Sequence, residues 1–169
     1  MPKWVIEESI LYPREKIEIN YKGPDPFQLY KKMDSSFLQA TLEVGGTAIW
    51  ERDFRWSADS DPHNFYIRIM VNKGFDRFTE AYYEIIFEGA QPSDPKKEGN
   101  VRVAIGGSMR TSFEFSTGFQ QTPIYKALVW LYFKIFYSKV RRKYFKIAEE
   151  DIYKLARAVR SWIGAPEVV

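Results

Sequence analysis

Arg52 stands in the stretch TAIWERDFRWS, where Ala48, Trp50, Arg52, Phe54 and Trp56 share one face if the strand is regular. A guanidinium does not shed its proton, so burial among those rings demands a carboxylate, a phosphate or an aromatic partner. The chemistry on offer is the anchoring of the acidic head of an otherwise apolar ligand. Two plainer arrangements stand beside it: a bulge that turns Arg52 outward, or an internal partner such as Glu8 or Glu15.

A second group of residues lies in TPIYKALVWLYFKIFYSKVRRKYF, residues 122 to 145, which is aliphatic and aromatic first and then abruptly basic. Trp130, Tyr132 and Phe133 beside Lys139, Arg141, Arg142, Lys143 and Lys146 are the residue types of a helix lying in a membrane surface. The uncharged run ALVWLYF is seven residues long, against about twenty for a span. Residues 124 to 137 are apolar nearly all round, a pattern that predicts a buried helix. Five cations in the eight residues from Lys139 to Lys146 would also suit phosphates, with Tyr144 to stack on a base. No nucleic-acid motif accompanies them and the net charge is only +3, so the cluster reads as a solvated helix face, partly paired with Glu149, Glu150 and Asp151.

Other chemistries are closed off by residue counts. There is no cysteine and a single histidine, His63, in the polar loop SADSDPHN. Disulfides, thiolate metal sites and histidine-based zinc are therefore excluded; no metal and no cofactor is expected. Gly45-Gly46 and Gly106-Gly107 lack the Lys-Ser/Thr of phosphate loops and are expected to end a helix and to bulge a strand. The acids at 149 to 151 are expected on an exposed helix face. The start, MPKWVIEESI, has no apolar core of signal-peptide length, which points to a cytoplasmic protein.

These groups must be positioned by a chain of 169 residues, enough for one domain. Trp4 to Tyr21 reads as two extended pieces divided by Pro13, the second alternating Ile17, Ile19 and Tyr21 against polar neighbours. Asp25-Pro26 and Asp34 are helix-start signals, and they predict two short helices meeting at a corner. From Gly45 to Phe115 the pattern is strands: Phe65, Ile67, Ile69 and Val71 share a face, as do Ala81, Tyr83, Ile85 and Phe87, and later Phe113 with Phe115. The turns between them are short, so the strands should pair antiparallel. Thr122-Pro123 starts a final helix and Gly164 with Pro166 stops it. At ~1.5 Å per residue that helix would be roughly 60 Å long, against a globule about 40 Å across. A bend near Ser138 is expected. Val140, Tyr144, Ile147, Ala148, Ile152, Leu155, Val159 and Trp162 form its apolar stripe, which must lie on the inner face of the sheet.

The order of elements resembles the START/Bet v 1-like (SRPBCC) superfamily, in which a curved sheet grips a long helix around a hydrophobic cavity. The residues carrying the likeness are EKIEINYKGPDPFQLYKKMDSSFLQATLEV and RRKYFKIAEEDIYKLARAVRSWIG, within roughly residues 14 to 163. SADSDPHN stands near the position of the glycine-rich loop of the plant allergen branch. The resemblance implies binding or transfer of lipids, quinones, polyketides or other apolar molecules; some members are cyclases or hydrolases, others bind chaperones.

The expectation is thus a single α+β domain over 1–169: an extra N-terminal strand in 1–13, a helix-grip core in 14–163, and a C-terminal helical region over 122–163. A hydrophobic small molecule or lipid would sit between sheet and helix, walled by Trp50, Phe54, Phe65, Ile67, Tyr83, Ile85, Phe113, Tyr144 and Ile152, with Arg52 as anchor. The rival is a peripheral membrane-surface protein that uses 123 to 146, with Trp130, Lys139, Arg141, Arg142 and Lys143 in contact. An enzyme acting on an apolar substrate would need a polar cluster inside the cavity. Nothing in the sequence speaks to oligomeric state.

Overall fold

The computed structural model describes residues 2–164. Its strands are β1 (Lys3–Ser9), β2 (Lys16–Pro24), β3 (Ile49–Trp56), β4 (His63–Gly74), β5 (Thr79–Gln91) and β6 (Glu98–Glu114). They form one antiparallel sheet in the order β1-β6-β5-β4-β3, and β2 also pairs with β6. The two N-terminal pieces do not pair with each other. Instead they share one edge of β6: β2 takes Glu98 to Gly106, and β1 takes Ser108 to Glu114. Between them Ile10 and Leu11 dip into the core.

Gly106-Gly107 marks this change of partner and makes no bulge, since the register with β5 runs through it without a shift. A Cβ on Gly106 would lie 2.5 Å from the Glu15 carbonyl oxygen. Its bare backbone also lets Lys16 Nζ reach across β6 to Glu84, at 2.6 Å.

Alternation puts continuous apolar rows on one face of the sheet. One runs Ile19–Val103–Phe87–Ile67–Phe54 over five strands, and the next runs Ile17–Ile105–Ile85–Ile69. The helices lie on that face. Two short ones, α1 (Gln28–Lys32) and α2 (Ser35–Leu42), contribute Leu29, Leu38 and Leu42. Asp34 caps α2 by accepting the Phe37 N–H at 2.8 Å. Asp25 makes no such cap; it sits at φ 46° and α1 begins after Phe27.

The chain closes with α3 (Pro123–Tyr132), a π-helical turn (Phe133–Tyr137) and α4 (Ser138–Ile163). Thr122 accepts the Tyr125 N–H, and Gly164 closes α4 at φ 67°. The π-turn lies directly before Ser138, where the pattern changes. The layout is helix-grip-like α+β, as expected from the element order.

Ala148, Ile152, Leu155, Ala156 and Val159 of α4 are fully buried. Ala148 and Ala156 bring the helix backbone close to the sheet. Val140 and Ile147, placed on this stripe by periodicity, are exposed instead. Phe75 stacks on Tyr144 at 4.8 Å and Phe37 meets Trp162 edge-on at 5.0 Å.

Asp151 is buried against the sheet, contrary to the exposed face expected for it. Its Oδ2 takes Lys73 Nζ at 2.7 Å and the Tyr83 hydroxyl at 2.8 Å. The parity of β4 and β5 forces this, because both partners rise from the apolar face of adjacent strands. Breaking a buried pair strands its partner, so Asp151→Ala should cost about 3–5 kcal/mol in urea unfolding. The apolar pair Lys73→Met with Asp151→Leu should recover most of that loss.

Candidate functional site

The side chains expected to wall a cavity separate into three groups. Phe65, Ile67, Tyr83, Ile85 and Ile152 belong to the main core, with Phe65 against Phe27 and Trp56. Phe113 belongs to a second, smaller cluster with Phe115 and Tyr137 under α3. Tyr144 is half-buried at the margin of the main core.

The remaining group lies on β3, whose register with β4 shifts between Glu51 and Asp53. Arg52 is the extra residue. Strand parity therefore breaks there: Trp50 and Arg52 are exposed, Glu51 takes the inward row beside Ile69, and Phe54 and Trp56 stay on that side but half-open at the sheet edge. Among the described residues Arg52 makes no ion pair, and Glu8, one of its suggested partners, bonds Arg141. A bulge and surface charges are how edge strands avoid pairing with another chain. Arg52→Ala should accordingly leave stability within about 0.5 kcal/mol, as for most surface substitutions, by thermal melting.

The sequence also missed a polar chain across the gap between sheet and helix. The Tyr137 hydroxyl donates to Asp76 Oδ2 at 2.7 Å and lies 2.6 Å from Thr79 Oγ1. Thr79 Oγ1 is 2.9 Å from Thr111 Oγ1, which accepts Arg141 Nε at 2.9 Å. Arg141 Nη1 ends the chain on Glu8. Arg141, grouped with the solvated cations by sequence, is therefore buried. Its Nη2 is a buried donor with no partner among the described residues.

Burial raises Asp76, but hydrogen bonds from the Tyr137 hydroxyl, the Phe78 and Thr79 N–H groups and the Tyr144 hydroxyl outweigh it and hold the carboxyl below its usual range. Burial, with Asp76 alongside, pushes the Tyr137 hydroxyl up despite its bond to Thr79. These groups sit in one row, buried at Thr79, Thr111, Tyr137 and Arg141 and open at Asp76 and Glu8, which can hold a helix on a sheet. His63, expected in a loop, starts β4; its ring ties Ser57 to Ser93 at 3.0 and 3.1 Å.

Beyond Tyr137 towards the N-terminus the helix leaves the main core. Tyr125, Val129, Phe133 and Tyr137 face the second cluster, with Trp4 edge-on to Phe133 at 5.3 Å. No residue of α3 is fully buried, which corrects the expectation of a buried segment. The sheet offers only its narrow end there, wide enough for one stripe of the helix.

The remaining large side chains face outward. Ile124 is 73% exposed, Phe136 64% and Leu128 56%, and Trp130, Leu131, Tyr132, Ile135 and Phe119 are open as well. From residue 115 to 148 there is no Asp or Glu. Lys126, Lys134, Lys139, Arg142, Lys143 and Lys146 are all exposed, and among the described residues none of them makes an ion pair. Lys134 Nζ lies 4.7 Å from the Trp130 ring centre. Apolar surface of this extent on a folded domain marks a contact site.

Among the described residues the cavities found lie away from the space beneath α4. The largest of those described, about 900 Å³, is an open groove on the far face of the sheet, crossed by the row Asn20–Arg102–Glu88–Tyr66–Arg55. Its cations are already neutralised, Arg102 by Glu88 at 2.7 Å and Arg55 by Asp53 at 3.1 Å. Two further grooves flank α3. One, about 570 Å³, runs between Tyr132 and Phe78; the other, about 510 Å³, between Trp130 and Trp4. Among the described residues no cluster of His, Asp and Glu could hold a metal ion, and no helix is long and apolar enough to cross a membrane.

No family model, no curated protein and no solved structure matches the chain.

The Asp76 row carries a pH signature. A carboxyl held low in the fold binds fewer protons than in the unfolded chain, so its stabilisation is complete above the unfolded value of 3.8 and is lost as pH falls through the folded value. Acid titration of Asp76→Asn should therefore show a shallower loss of stability below that value than the parent protein shows.

Proposed function

We propose that this protein attaches to an anionic lipid surface, with α3 and the π-turn lying in the interface and the cations from Lys126 to Lys146 at headgroup level. The observation that carries it is the coincidence of two features in one segment: a helix without a buried residue, and thirty-four consecutive positions without an acid. Trp130 and Tyr132 are residue types that settle at the boundary between headgroups and acyl chains. Of the cations named from sequence, Lys139, Arg142 and Lys143 serve here, while Arg141 holds the helix to the sheet.

A second copy of the chain is the other natural occupant, since Ile124, Leu128, Leu131 and Ile135 repeat at spacings of four and three. Charge argues against it. Pairing two arms would bring like-charged flanks together with no acid on either to answer them.

The carrier reading, with a ligand between sheet and α4, has no cavity among those described to support it, because Tyr83, Ile85, Phe87 and Ile152 occupy that space. What supports the lipid reading equally suits a helix-grip domain of the SRPBCC kind that works at a membrane, with a lipid or other apolar molecule as its ligand class.

Co-sedimentation with vesicles tests it. The protein should pellet with phosphatidylcholine–phosphatidylglycerol vesicles and not with phosphatidylcholine alone. Ile135→Glu or Trp130→Glu should abolish pelleting. Replacing Lys139, Arg142 and Lys143 by Ala should weaken it by more than about a hundredfold, at roughly 1 kcal/mol per cation. Unchanged pelleting in all of these overturns the proposal. So does a parent protein that is dimeric, ignores vesicles and becomes monomeric with Ile135→Glu.

A further inference from the structure

We propose that the groove between α3 and the start of β1 binds one anionic amphiphile, an alkyl chain ending in a carboxylate or a phosphate. The proposal deepens the lipid-surface reading by assigning a single-molecule site beside the arm. The groove, about 510 Å³, is lined by Pro2, Lys3, Trp4, Phe115, Lys126 and Trp130. Its volume is within the range of small-molecule sites.

Three aromatic rings make its walls, and two of them are fixed. Trp4 is held by stacking on Phe113 at 5.6 Å and by the edge of Phe133. Phe115 is buried, and its N–H donates to the Pro2 carbonyl oxygen at 3.0 Å. Apolar walls held this firmly keep their shape when empty, which lowers the ordering cost of binding.

Lys126 is the cation that stands over the groove, while Lys3 adjoins it through the start of β1 and shares the opposite face of the sheet with Glu114. Lys126 Nζ lies 5.8 Å from the Phe115 ring centre, directly over the wall. Among the described residues Lys126 makes no ion pair, and no acid lines this groove. Glu114 lines the other groove, on the far flank of α3, together with Arg77 and Gln120. That groove is mixed in charge, whereas the charge over this one is that of Lys126.

An alkyl chain would cover the rings but leave the Lys126 ammonium unanswered. A simple anion would answer Lys126 and leave the rings wet. Only a molecule with both parts satisfies the lining. Lys126 and Trp130 also belong to the flank of the arm, so the groove opens beside the surface proposed to meet lipid, where such a molecule is at hand.

The test uses soluble probes below their micellar concentrations: dodecanoate, dodecyl phosphate, dodecanol and dodecyltrimethylammonium, followed by tryptophan fluorescence and calorimetry. The two anions should bind one to one, and the alcohol and the cation about tenfold more weakly or worse, the size expected for losing a charge-assisted contact. Preference for the phosphate would assign a phospholipid and preference for the carboxylate a fatty acid, and either upholds the site. Lys126→Glu should lose about tenfold or more, and Lys126→Arg should keep most of the affinity. Ile124→Glu and Ile135→Glu lie off the groove; they should abolish vesicle binding while leaving dodecanoate binding intact, which separates failure of the site from failure of the surface reading. Dodecanol binding as tightly as dodecanoate, or Lys126→Ala binding like the parent, overturns the site.

Discussion

One helix has to serve two surfaces, and the four-residue spacing of Tyr125, Val129, Phe133, Tyr137 and Arg141 is the constraint on which that depends. In a straight α-helix a step of four residues overshoots a turn by about 40°. Over four such steps the row would wind well around the helix and off the sheet. A π-turn closes its hydrogen bonds at i→i+5, so it is wider and winds part of that drift back. It falls at Phe133–Tyr137, in the middle of the row. Past Arg141 the buried positions Ala148, Ile152, Leu155 and Val159 return to ordinary spacing, and the helix becomes the lid of the main core. The Tyr137 hydroxyl, shared between Asp76 and Thr79, fastens the chain at the changeover.

This explains why the same segment is apolar all round and yet exposed. A lone helix surrounded by protein would bury every face. Here the sheet ends beneath α3, and only the stripe facing Phe113 and Phe115 finds cover. The other faces have no cover among the described residues. Six cations that make no ion pair among the described residues lie along the same length with no acid, and a water-facing surface gains little from such a one-sided distribution.

The sheet and its helices were legible because their signals are local. Alternation at Phe65 to Val71 and Ala81 to Phe87, the Asp34 and Thr122 caps, and the Gly164 stop each depend on a few neighbouring residues. What was not legible depends on distant ones. Arg52 sits on a strand whose parity looks unbroken, and the bulge shows only against the register of β4. Arg141 is one of five cations in eight residues, and nothing nearby distinguishes it; Glu8 and Thr111, which bury it, lie far off in sequence. Asp151 follows two exposed glutamates and is buried only because Lys73 and Tyr83 rise beneath it. The N-terminal strands were visible as strands, but their sharing of one edge of β6 was not.

The two buried ionic rows also divide the labour of holding α4. Lys73, Tyr83 and Asp151 lie deep in the main core, where removing Asp151 leaves a charge and a hydroxyl without their shared partner. Glu8, Arg141, Thr111, Thr79, Tyr137 and Asp76 lie at the exit of the helix, with both ends of the row nearer to water. Apolar packing alone would let the helix slide along a uniform aliphatic sheet, because hydrophobic attraction has no direction. Two hydrogen-bonded rows well apart along the helix fix both its rotation and its position. The rotation decides which side chains of α3 face outward. The outward stripe of Ile124, Leu128, Leu131 and Ile135 is therefore set by groups it never touches, through a helix kept in register by Tyr137 and Arg141.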